Sequence, residues 1–274
     1  MGLLALVLAV DQSDVWGWTS PAVLSLLAAA AGLLVLFGVL EARVSNPLVD
    51  LRLFRQPAFT GATIVGAIHN YAFCAAVFFL TLYFQTTRGY SPVETGLMLV
   101  PMSVAFVITG VVGGRLVQRF GARALLAIGM TLLAAVQLAI SGFSLSTGWL
   151  LILPLLTMHG VADGLAYTFS TTVGMKAAPE SEAGEASGII NMTKVVGGVF
   201  GIAVTQSIFQ QIEASRLAAL AADAGLARAD LQRQALIAAF GGSMLVIAAL
   251  SAVGVVLTFL LIRERSLAPA AAAA

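Results

Sequence analysis

Charge is what this sequence has least of. Only 10% of its 274 residues are Asp, Glu, Lys or Arg, against about a quarter in soluble domains. With 59% hydrophobic residues and a mean hydropathy of +0.99, the chain cannot cover its apolar surface in water. Cysteine is almost missing as well. Cys74 stands alone, which excludes an intrachain disulfide. No His, Cys and acidic residues recur at metal-ligand spacing, and no phosphate-binding glycine loop or nucleophile elbow stands in a convincing context. No cofactor, metal or enzymatic activity is therefore expected. A formal net charge of +1 gives no reason to expect a nucleic-acid partner. Period-2 alternation is missing from the apolar stretches, which excludes a membrane barrel.

What the chain does have is length of apolar run. Stretches near 21–40, 58–86, 93–117, 122–143, 149–175, 187–209 and 236–262 each approach a bilayer crossing, which needs roughly 20 apolar residues. An eighth stretch, Gly2–Val10, is half that length. It lacks the basic residue and cleavage site of a signal peptide and reads as the end of a helix whose beginning is missing. The fold class is all-α: a polytopic transmembrane helical bundle, with the lipid bilayer as its first partner.

Basic residues set an expected orientation, since Lys and Arg gather in cytoplasmic loops. Arg43, Arg52 and Arg55 lie in 41–57, Arg115, Arg119 and Arg123 in 114–123, and Arg263 and Arg265 in the tail. The connections 11–20 and 144–148 have none, and 87–92 has Arg88 alone. Residues 41–57, 114–123, 176–186 and the C-terminus are thus expected in the cytoplasm of a multi-pass protein of the plasma (inner) membrane. The segment 210–235, with Arg216, Arg228 and Arg233, breaks the pattern. It reads either as a helix lying along the membrane surface or as a solvated helical hairpin.

The expected organisation is a partial and a full central helix in 1–41, a basic cytoplasmic linker in 42–57, a six-helix domain in 58–265 and a disordered Ala-rich tail in 266–274. Several segments resemble the major facilitator superfamily, in particular its fourteen-helix drug:proton antiporter branch. Asn46-Pro47-Leu48-Val49-Asp50-Leu51-Arg52-Leu53-Phe54-Arg55 is similar to the segment before that branch's second six-helix domain. Phe84 to Pro92, followed by Gly96 and Pro101, resembles its next outer loop and helix. Gly114-Arg115-Leu116-Val117-Gln118-Arg119-Phe120-Gly121-Ala122-Arg123 is similar to the superfamily's cytoplasmic signature loop, with Gln118 where an acidic residue is common. Gly184 to Ala203, with Gly188, Asn191, Gly197, Gly198 and Gly201, resembles its eleventh core helix.

The resemblance implies the C-terminal portion of a proton-coupled multidrug or metabolite exporter working by alternating access, in which two halves rock about a central site. The six helices of an N-terminal half are not in this sequence, so a separate N-terminal six-helix partner is implied, along with a small organic substrate and protons. Two other readings stay open: a truncated fragment without activity, and a non-transporting membrane scaffold or partner subunit. Helices 58–86, 93–117, 149–175 and 187–209 would line the cavity. Helices 122–143 and 236–262, almost without polar side chains apart from Gln137, read as lipid-facing. In the signature loop, Gly114, Gln118, Arg119, Gly121 and Arg123 read as structural or as plain topology anchors.

Polar groups inside the membrane are costly, about 2.5–3.5 kcal/mol for a central charge on insertion scales, so they are functional candidates. Asp163 lies mid-helix, with His159 and Tyr167 four residues to either side on one stripe. It is the expected proton-coupling group; the alternative is an Asp paired with Lys194 or with hydroxyls. His69 is the second coupling candidate, or a hydrogen-bonded link beside Asn70 and Tyr71. His159, Tyr167, Asn70 and Lys194 are the expected cavity residues. Lys194 shares a stripe with Gly197, Gly198, Gly201 and Thr205, where small residues allow close helix contact; the lysine itself pairs with Asp163 or snorkels. Tyr83, Phe84 and Gln85 read as interfacial anchors.

Overall fold

The computed structural model describes residues 2–17, 20–41, 51–221 and 228–262. Residues 42–50 of the linker, with Arg43 and Asn46 to Asp50, and the tail from 263, with Arg263 and Arg265, lie outside the described residues.

Every described element is helical. In chain order they are α1 (Gly2–Trp16), α2 (Pro21–Glu41), α3 (Pro57–Leu82), α4 (Pro92–Phe120), α5 (Ala122–Ile140), α6 (Trp149–Ala177), α7 (Ala183–Ala221) and α8 (Arg228–Leu261). Short 3-10 turns at Leu51–Arg55 and Glu180–Glu182 precede α3 and α7. Among the described residues six helices, α3 to α8, are long and apolar enough to cross a membrane. At 29 residues, α4 and α6 each measure about 44 Å, more than a hydrocarbon core.

Local chemistry sets the helix ends. Pro57 and Pro92 stand in the first turns of α3 and α4, where no N–H partner is needed. Ser91 Oγ accepts from the Glu94 amide at 3.3 Å while Glu94 Oε2 accepts from the Ser91 amide at 2.8 Å, a reciprocal cap. Gly121, with φ of +77°, is the whole connection between α4 and α5; a side chain there would be strained. The expected loop 114–123 is therefore mostly helix.

α3 is central and packs on α6, α7 and α8, while α6 packs on α4 and α5, and α5 on α8. The hairpin of α1 and α2 leans on α7 through α1. α1 continues through the expected connection as far as Trp16. The segment 210–235 forms no separate surface helix among its described residues. α7 runs unbroken to Ala221 and α8 starts at Arg228, so these residues extend two neighbouring helices, as the hairpin reading has it.

Two other expectations are corrected. Tyr83 and Phe84 are buried rather than interfacial anchors, and Gln85 is half-buried. A π-turn over Tyr83–Thr87 ends α3; its i→i+5 bonding puts more residues in the turn and so rotates successive side chains relative to an α-helix. Tyr83 stacks on Phe240 at 4.8 Å and donates to the Ser144 carbonyl at 2.8 Å, while Phe84 stacks on Tyr90 and Trp149. Arg88 closes this end of the bundle by donating to the carbonyls of Leu145 (2.6 Å) and Thr147 (3.1 Å). α5 and α8, expected to face lipid, are exposed on one side only, through Ile128, Leu138, Val253, Val256 and Phe259. Leu126, Met130, Leu133 and Met244 from their other sides are core. Between them, buried Gln137 Oε1 accepts from Ser251 Oγ at 2.8 Å. The least buried of the six is α4, which exposes Val93, Leu97, Val100, Val104, Val107 and Val111.

Candidate functional site

The sequence has two histidines, and both close on Asp163. His159 and Asp163 are one turn apart on α6, so their side chains meet along the helix surface. His69 reaches across from α3. His159 Nδ1 lies 2.6 Å from Asp163 Oδ2 and His69 Nε2 lies 3.2 Å from Asp163 Oδ1. All three side chains are buried, to 1% exposure or less. The two distal nitrogens, His69 Nδ1 and His159 Nε2, have no hydrogen-bond partner among the described residues. An ionised carboxylate can only accept, so an imidazole nitrogen facing it is the donor and the distal nitrogen of a neutral ring keeps its lone pair. Three titratable side chains across two helices thus share one buried site.

Lys194 is not part of it. The expected pairing of Lys194 with Asp163 is absent because both Asp163 oxygens already accept from imidazoles. Lys194 Nζ instead donates to the Tyr167 carbonyl (3.1 Å) and Thr171 Oγ1 (2.6 Å) and sits 3.9 Å from the Tyr167 ring centroid. It does not snorkel, for the whole side chain is buried. Gly66 makes its path: a Cβ there would meet Lys194 Cε at 3.0 Å. Tyr167 is partly exposed and touches His69 edge-on (6.2 Å) and Phe106 of α4 (5.8 Å). Phe73 completes the wall, stacked between His69 (6.3 Å) and Phe106 (6.4 Å). Of the residues that the sequence placed at this site, Asn70 is turned to another task. Its Nδ2 donates to the Lys194 carbonyl at 2.7 Å and ties α3 to α7. Sequence reasoning misses Phe73, Phe106 and Thr171. Thr171 is found by extending the stripe of His159, Asp163 and Tyr167 by one turn; the two phenylalanines carry no signal that separates them from core.

The signature-loop residues lie apart from this site. Gly114, Gln118 and Arg119 are exposed on the last turns of α4, with nothing among the described residues within 4 Å of a Cβ at Gly114. Arg119 covers the Phe120 ring at 5.7 Å. Arg123, just past Gly121, donates to the Phe259 carbonyl at 3.0 Å and lies over its ring, which joins the start of α5 to the end of α8.

The profile of the Major Facilitator Superfamily matches residues 2–202. The chain belongs to this superfamily. A methylenomycin A resistance protein of Streptomyces coelicolor is 32% identical over 203 residues, covering 74% of this chain and 43% of that protein. The multidrug resistance protein Stp of Mycobacterium tuberculosis is 37% identical over 204 residues, 74% of this chain and 38% of its own length. A tetracycline resistance determinant of Streptomyces rimosus is 32% identical over 221 residues, 80% of this chain and 63% of that protein. The chain thus spans about two fifths of the first two relatives. A solved bacterial homologue of the human lysosomal transporter Spinster, in an inward-facing, occupied conformation, superposes with a TM-score of 0.68 at 14% identity, over 98% of this chain and 66% of that one. At that identity the likeness speaks for the fold. Superfamily membership, this fold and the long apolar helices place the chain among multi-pass membrane proteins of that superfamily.

Proposed function

We propose that the chain supplies the C-terminal six-helix domain, 58–265, of a multidrug or metabolite exporter, preceded by central helices in 1–41, and that protons enter its cycle at His69, Asp163 and His159. The observation that carries this reading is the closure of both histidines on one buried carboxylate between α3 and α6. Proton gain there neutralises a buried charge and changes the bonds that join two helices. That links protonation to helix packing, as alternating access requires. The drug-resistance relatives supply the substrate class, small organic compounds.

The opposing domain is expected against α4, whose apolar face is the most open surface of the bundle. Expressed alone, the 274-residue chain should give no drug resistance and no gradient-dependent efflux in a host lacking its own exporters. Co-expression with an N-terminal six-helix half from a resistance relative should restore efflux. Robust efflux by the isolated chain would remove the need for that half, and failure of every pairing would favour the non-transporting scaffold.

The orientation is proposed with the C-terminus in the cytoplasm. Arg55, Arg119 and Ser146 are all exposed. In a Cys74→Ala background, Arg55→Cys and Arg119→Cys should react with an impermeant maleimide only from the cytoplasmic side, and Ser146→Cys only from outside. The reverse labelling would invert the topology.

A further inference from the structure

Lys194 is met by the Tyr167 ring and by neutral oxygens but by no anion among the described residues. It is 3% exposed, and among the described residues no carboxylate lies within ion-pair distance of it. Its two hydrogen bonds go to neutral oxygens, the Tyr167 carbonyl and Thr171 Oγ1, whereas an ammonium has three donors. Asp163 is committed to the histidines. An ammonium held in an apolar interior without a counter-ion is costly, and the usual remedy is a paired anion.

The surroundings say what kind of anion. The Tyr167 ring lies 3.9 Å from Nζ and is itself 39% exposed. Beside it, Phe106 and Phe73 are half-buried and continue the same aromatic surface from α6 to α4 and α3. A counter-ion contributed by the protein would need no such wall. A ligand with a flat apolar body and one acidic group would use both parts. We propose that Lys194 and the wall of Tyr167, Phe106 and Phe73 form a binding site for an amphipathic organic anion, its carboxylate or phenolate taking the counter-ion place at Nζ and its body lying on the rings. This rests on the exporter reading above and names the substrate class of that site.

The test is equilibrium dialysis on the purified full chain in lipid nanodiscs at neutral pH, with three probes of one skeleton: 2-naphthoate, 2-naphthamide and 2-naphthylmethylammonium. Wild type should bind the acid about tenfold more tightly than the amide, as expected for one charge-assisted hydrogen bond, with the ammonium weakest. Lys194→Gln should make acid and amide equal, and Lys194→Arg should keep the preference for the acid. Tyr167→Leu should weaken all three and leave their ratio unchanged. Thermal unfolding of Lys194→Gln should occur at or above the wild-type temperature, since an uncompensated buried charge is removed. Equal binding of acid and amide by wild type, a preference that survives Lys194→Gln, strongest binding of the ammonium, or no binding of any probe would each overturn the proposal. Should Lys194→Gln fail to fold, the wild-type ratio still decides. Asp163→Asn should leave that ratio intact. A wild-type preference for the acid together with full proton-driven efflux by Asp163→Asn therefore removes only the proton reading, and no such preference together with impaired efflux by Asp163→Asn removes only this one.

Discussion

Asp163→Asn should lower proton-driven efflux about a hundredfold, the low end of what loss of a positioned proton-transfer group costs, while energy-independent exchange and ligand binding persist. The measurement is transport in everted vesicles by this domain joined to the N-terminal half of a resistance relative, with and without an imposed pH gradient. The amide matches the carboxylate in size. It keeps one acceptor and gains one donor, and a neutral imidazole can accept from that donor by changing tautomer. The contacts of 2.6 Å and 3.2 Å can thus be replaced without moving α3 or α6. What the amide cannot do is compensate an imidazolium, so the protonated state of the cluster loses its partner charge. The variant therefore separates coupling from folding. His159→Leu does not, because it strands one carboxylate oxygen in a buried site, at a cost of about 1–3 kcal/mol or more. Full efflux by Asp163→Asn with an unchanged response to pH would exclude the coupling role. Loss of folded protein without a transport-specific defect would show the cluster to be a helix tie.

The fold is legible because a bilayer imposes its period on the sequence. Runs of about 20 apolar residues bounded by Pro92, Gly121 or Gly148 leave few choices of helix. The stripe of His159, Asp163 and Tyr167 follows from helical spacing alone. Its partner does not, since spacing along one helix says nothing about which neighbour lies opposite. Charge points to Lys194, whereas the structure brings His69 across from α3. Two imidazoles satisfy both oxygens of one carboxylate, which a single lysine does less completely. Burial of the aromatics is hidden for a different reason. A π-turn leaves no mark in composition, so Tyr83 and Phe84 read like any aromatic pair near a helix end. The helix α8 misleads through uniformity. It is apolar on its exposed side and on its core side alike, so its sequence shows little contrast between them.

Gly201→Leu should abolish the folded bundle, and Gly201→Ala should cost about 3 kcal/mol, the upper range for overpacking. A Cβ on Gly201 would collide with the Tyr71 carbonyl oxygen and lie 2.8 Å from its Cα. One turn earlier, a Cβ on Gly197 would meet the Ala67 carbonyl oxygen and lie 3.0 Å from its Cα. These neighbours are backbone of α3, so no rotamer change can relieve the contact; the helices must separate. Separation also breaks the Asn70 bond to the Lys194 carbonyl and the 3.0 Å contact of Tyr71 with Thr205. In lipid there is no water to take over those polar groups. The control lies in the same helix. Gly184 and Gly188 have nothing among the described residues within 4 Å of an added Cβ, so Gly184→Ala and Gly188→Ala should be neutral or stabilise by about 0.5–1 kcal/mol through helix propensity. Reversible unfolding in mixed dodecyl maltoside and dodecyl sulfate micelles measures all four variants. Equal stability of Gly188→Ala and Gly201→Ala would refute the close approach of α3 and α7. A selective loss at Gly201 would also displace Lys194 from Tyr167, because that approach fixes the height of α7 against α6. In any Gly201 variant that still folds, the preference for naphthoate over naphthamide should then fall with stability, while in Gly188→Ala it should hold.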